Sequence, residues 1–149
     1  MSKINSDLKY LERFSGVIFG IILAVLVHYL NLNLLGSNLK FVEVMIGLSG
    51  TIFGFLFASL AILIQGTSPK LIDLISKRPI VFDRIVRYNR SVVFISLVVA
   101  ITSIIFLLIE DLVLNNHCIN IFYAFIIGTL FGYTFLFLHI FYLAILSKK

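Results

Sequence analysis

The chain has 149 residues, a formal net charge of +5 and a mean hydropathy of +1.11, with 60% of its residues hydrophobic and 13% charged. A soluble domain of this length has too much surface for its volume to hide so many apolar side chains. The composition therefore excludes an ordinary water-soluble enzyme or binding module, and it points to an all-α integral membrane protein.

Four stretches are long enough to cross about 30 Å of hydrocarbon as helices. The first runs roughly over 14–34, and the one side chain in it that can carry charge near neutral pH is His28. It is too long for the apolar core of a signal peptide, and it runs into Asn31-Leu32-Asn33 instead of a small-residue cleavage site, so it reads as a signal anchor. The second, 41–65, has Glu43 near its start and ends at Gly66. There "GTSPK" opens a new element: Thr67 or Ser68 suits a helix N-cap and Pro69 a first turn. Leu71, Ile72 and Ile75 then lie opposite Lys70, Asp73 and Lys77, which predicts a short amphipathic helix at the headgroup level before Pro79 interrupts it. The third stretch, 91–109, contains no charge and follows Arg90 without a break, so its helix should project a turn or two beyond the membrane. The fourth, 121–146, holds only His139. Loops are expected at 36–40, 66–90 and 110–120. All of this makes one domain, 1–149, with four transmembrane helices. The single cysteine, Cys118, excludes an intrachain disulfide.

Basic residues orient the chain. Lys3, Lys9 and Arg13 precede the first span, Lys70, Lys77, Arg78, Arg84, Arg87 and Arg90 lie between the second and third, and Lys148 and Lys149 follow the fourth. Eleven of the twelve thus fall on one side, which predicts that both termini and 66–90 are cytoplasmic. The abundance of Ile, Phe, Asn and Lys suggests an AT-rich bacterial genome, hence the inner membrane.

Within the second span, Gly47, Gly50, Gly54, Ala58 and Ala61 recur three or four residues apart and share one helix face. The first span repeats the device with Gly16, Gly20, Ala24 and His28, and the fourth with Ala124, Gly128 and Gly132. In lipid, helices associate by close packing, which small residues permit. Such stripes either join helices of one four-helix bundle or face neighbouring subunits or a pore. Three stripes in so small a chain favour contact beyond the monomer, with Ser49, Thr51 and Ser59 flanking the second-span stripe. Lys77, Arg78, Arg84, Arg87 and Arg90 read either as topology and lipid-headgroup charges or as an anion site whose arginine forks grip phosphate oxygens. Glu43, Glu110 and Asp111 make the outer side negative, as solvated loop ends or as a cation-enriching mouth. His28 and His139 sit near opposite ends of their spans and are expected as separate interfacial histidines. His117 beside Cys118 does not make a metal site. No catalytic arrangement, paired intramembrane carboxylates, phosphate loop, cofactor motif or metal motif occurs, so no enzymatic activity is expected.

"GTIFGFLFASLAILIQG", followed by a short basic loop and two further spans, resembles the four-pass membrane effectors of bacterial anti-phage abortive-infection systems, of the RexB and Hailong HalA kind. The resemblance covers the layout of the whole chain and, in sequence, the second span and the loop after it. It implies a homo-oligomeric inner-membrane channel or permeabilising effector, controlled by an upstream sensor protein or by a nucleotide or oligonucleotide that in Hailong-type effectors holds the channel closed. It would make 47–65 the gate or packing helix and put the ligand at Lys77, Arg78, Arg84, Arg87 and Arg90. The alternative reading is a non-catalytic accessory or structural subunit of a larger membrane complex.

Overall fold

The computed structural model describes the backbone of residues 2–36, 39–65, 79–114 and 116–146, and side-chain environments within 14–142. All regular structure among these is helical: α1 (Ser2–Tyr29), α2 (Lys40–Gln65), α3 (Pro79–Leu108), the single turn α4 (Glu110–Val113) and α5 (His117–Leu146). Three stretches are long and apolar enough to cross a membrane, Lys40–Ser59, Asp83–Leu108 and His117–Tyr142, and Phe14–Tyr29 is a shorter apolar helix. The predicted amphipathic helix, with Lys77 and Arg78, lies outside the described residues.

Helix boundaries depart from the hydropathy reading at three places. The first span was expected to run to residue 34, yet α1 stops at Tyr29 because Asn31 takes a left-handed conformation (φ 51°). Leu32 N donates to Val27 O (3.0 Å) and Asn31 N to His28 O (3.3 Å), the pair of bonds that closes a Schellman turn, with asparagine where glycine is commoner. Pro79 opens α3, where its missing N–H costs nothing. α3 therefore extends about three turns before Ser91, further than the turn or two expected. α5 begins at His117, earlier than residue 121, because the Asn116 side chain accepts from Cys118 N (3.1 Å) and Ile119 N (3.3 Å) as an N-cap.

The helices pack in the order α1–α5–α3–α2. Among the described residues, α1 has extensive contact only with α5, and α2 only with α3, the α3–α5 contact joining the two pairs. The α2–α3 pair is antiparallel and built on a heptad seam. Val42, Met45, Ser49 and Leu56 of α2 are buried, as are Ile85, Asn89, Val92, Ser96, Val99, Ser103 and Phe106 of α3. Tyr123 of α5 fills the junction of three helices, edge-on to Phe41 and tilted against Phe106. Its hydroxyl lies 2.6 Å from Ser103 Oγ, which already donates to Val99 O (2.7 Å), so the tyrosine is the donor.

The glycines of α1 and α5 meet each other. A Cβ on Gly128 would lie 2.9 Å from Gly20 Cα, and one on Gly132 would lie 3.0 Å from Gly16 Cα. These two stripes are the seam of α1 against α5, where backbones touch because no side chain stands between them. Asn120 extends the seam past the C-terminal end of α1, donating to Leu32 O (2.6 Å) and accepting from Leu34 N (2.9 Å). That clip ties the loop after α1 to α5.

Candidate functional site: an open face of α2 and a polar seam behind it

On α2 the packing seam and the small-residue stripe occupy opposite sides. At 100° per residue, Gly47, Gly50, Gly54 and Ala58 centre about 155° from Val42, Met45, Ser49 and Leu56. Gly47, Gly50, Gly54 and Ala58 are all exposed, and a Cβ built on any of the three glycines would meet nothing within 4 Å. The same device that is filled between α1 and α5 is thus empty on α2. Large apolar side chains border it: Val44 (63% exposed), Phe55 (67%) and Phe57 (57%).

The hydroxyls expected to flank this stripe divide between the two sides. Thr51 is exposed beside it and returns its proton to Gly47 O (2.8 Å). Ser49 instead is fully buried toward α3 and donates to Ile46 O (3.1 Å). Ser59 also turns inward, donating to Leu56 O (2.8 Å) and accepting from Asn89 Nδ2 (3.1 Å).

Asn89 is a feature that attention to charge and glycine missed. It is fully buried, and Nδ2 also donates to Leu56 O (3.2 Å), while Oδ1 is buried without a hydrogen-bond partner. Flipping the amide would set Oδ1 against the Leu56 carbonyl, so the orientation is fixed by its neighbours. Asn89, Ser96 and Ser103 stand seven residues apart, one polar group per heptad along the buried face of α3. That spacing was the available signal. Interhelical hydrogen bonds in membrane proteins average about 0.6 and reach about 1.7 kcal/mol. Asn89→Ala should therefore destabilise the α2–α3 pair by roughly 1 kcal/mol, and Ser59→Ala by less because the bond to Leu56 O survives. Unfolding of the purified variants in mixed micelles checks both, and equal effects would refute the assignment.

The basic residues that are described follow the register of α3. Arg90 and Arg87 are exposed on the side away from the seam, whereas Arg84 is half-buried at its margin. The three thus fan across roughly 120° of the helix, and Arg84 has an interaction of its own. Glu43 on α2 and Glu110 at the start of α4 are exposed; the Asp111 side chain lies outside the described residues. His139 is exposed and stacked on Phe135 of its own helix. His28 is not solitary: its Nδ1 lies 2.9 Å from Nε2 of His117. Among the described residues no three His, Cys, Asp or Glu side chains gather as a metal-binding group.

Comparison with protein-family models, with curated proteins and with solved structures finds no match to this chain.

Proposed function

We propose that the protein is a homo-oligomeric, four-pass channel or permeabilising effector of a bacterial inner membrane, gated from the cytoplasm by an anionic ligand. The observation that supports it is the open glycine face of α2. A glycine inside a helix weakens it by about 1 kcal/mol relative to alanine, and lipid returns no packing for that loss. Three glycines in register with Ala58 need a helix against them, and among the described residues they have none. A second copy presenting α2 supplies it. Subunits gathered through α2 would crowd these bare faces together when closed, and would leave a path lined by Thr51 and backbone when parted.

Arg87 and Arg90, exposed on the far side of α3, would meet a phosphate-bearing ligand, with Lys77 and Arg78 close before them in sequence. The defence role and the oligonucleotide class of ligand come from the resemblance to abortive-infection effectors. Exposed Glu43 and Glu110 at the opposite end would enrich cations at the outer mouth.

The test is native mass spectrometry of the purified protein together with ion flux from liposomes, with and without added oligonucleotide. A defined oligomer whose flux responds to the oligonucleotide in wild type, but not in Arg87→Glu/Arg90→Glu, is expected. A monomer without flux would point instead to a subunit that docks on a different membrane partner.

Topology has its own expected outcome. In intact cells, an impermeant thiol reagent should label native Cys118, and should fail to label Ser76→Cys in a Cys118→Ser background. Labelling of Ser76→Cys from outside would reverse the orientation.

A further inference from the structure

The ends of α1 and α5 bring two imidazoles together across 89 positions of sequence: His28 Nδ1 and His117 Nε2 lie 2.9 Å apart, with ring centroids 5.2 Å apart and planes inclined by 50°. Both rings are exposed. We propose that this pair is a chelating site for a divalent transition ion of the zinc, nickel and copper class. Imidazole nitrogen is a preferred ligand for all three.

The geometry is close to what chelation needs. Zinc–nitrogen bonds of about 2.0–2.1 Å at a tetrahedral angle hold two ligand nitrogens roughly 3.3 Å apart. A few tenths of an ångström of opening therefore admits the ion between atoms that now share one proton. The ring that donates that proton moves it to its other nitrogen, so both rings stay neutral and each offers a lone pair to the metal. Because both rings are exposed where the two helix ends meet, water at the membrane surface would complete the coordination and hydrate the displaced N–H.

The supports of the two histidines are fixed before any ion arrives. His28 lies in the last turn of α1, where its carbonyl accepts from Asn31 in the closing turn. His117 is the first residue of α5, set by the Asn116 cap. The Asn120 bonds to Leu32 and Leu34 and the glycine seam hold the two helix ends side by side. A preformed pair gains over a single imidazole as two linked binding groups do. An ion bridging the pair would pin the outer end of α1 to α5.

The test is zinc titration of the purified, full-length protein in detergent, buffered above the usual titration range of imidazole. Wild type, Cys118→Ser and His139→Gln should bind one zinc per chain. His28→Gln and His117→Gln should each weaken binding by roughly 100-fold, the loss expected when a two-point attachment becomes one-point. Glutamine can still hydrogen-bond across the pair, so the metal-free thermal midpoint should stay near that of wild type. Nitrogen chemical shifts of the wild-type imidazoles give a readout that needs no variant: zinc should move those of His28 and His117 and leave His139 unchanged. Absence of zinc binding in wild type, its retention in His28→Gln or His117→Gln, or its loss in Cys118→Ser would overturn the proposal.

Discussion

Gly128→Leu should cost the fold about 3 kcal/mol and release α1 from α5. The nearest obstacles to a Cβ at this position are Gly20 Cα and Leu23 Cβ, both at 2.9 Å, and Phe19 O at 3.0 Å. Two of the three belong to the backbone of α1, which cannot rotate aside as a flexible side chain could. The helices must separate, and separation also withdraws Gly132 from Gly16 and strains the Asn120 bonds to the loop after α1. Against a total stability of about 5–15 kcal/mol, this is a large fraction. Unfolding in mixed micelles measures it, with Gly47→Leu as the control because nothing lies within 4 Å of that glycine. An unchanged midpoint for Gly128→Leu would mean that α1 and α5 are not packed through these glycines.

Gly54→Leu should have the reverse profile, leaving the isolated chain intact while disrupting assembly. No atom lies within 4 Å of a Cβ at Gly54, and leucine is the better helix former by about 0.8 kcal/mol. The monomer should therefore be at least as stable as wild type. If α2 packs against a second α2, a leucine there forces the backbones apart at a cost of about 2 kcal/mol, roughly thirtyfold in association. Native mass spectrometry should then report loss of the oligomer, and liposome flux should be lost or fixed open. Phe55→Leu, one residue away at a site already 67% exposed, should change neither by much. A normal oligomer with normal flux in Gly54→Leu would show that the stripe faces lipid, and the channel reading would lose its support.

The long apolar runs were legible because each exceeds what a soluble helix tolerates, and the positions of α2, α3 and α5 follow from them. The end of α1 was not, because hydropathy continues through Leu30, Leu32 and Leu34 while the Asn31 backbone turns; only the Asn-Leu-Asn spelling marked it. Spacing revealed all three glycine stripes but could not say which had partners. That depends on α1 lying beside α5, a pairing of chain ends with no local signature. The same pairing makes the His28–His117 contact invisible in sequence, where the two are 89 residues apart. The heptad of Asn89, Ser96 and Ser103 went unread, although polar residues at that period in an otherwise apolar helix mark one buried face.

The helix order α1–α5–α3–α2 has a consequence for how the protein is made. The ribosome delivers α1 well before α5, yet these two close on each other. α2 and α3 can join as a local hairpin as soon as Asn89 reaches Leu56 and Ser59. Throughout that interval Gly16 and Gly20 wait uncovered, and α5, which touches both α1 and α3, closes the packing like a keystone. Truncations that remove α5 should accordingly leave a hairpin and a stray helix, and the nascent chain is most vulnerable to membrane proteases until the thirty residues of α5 are inserted.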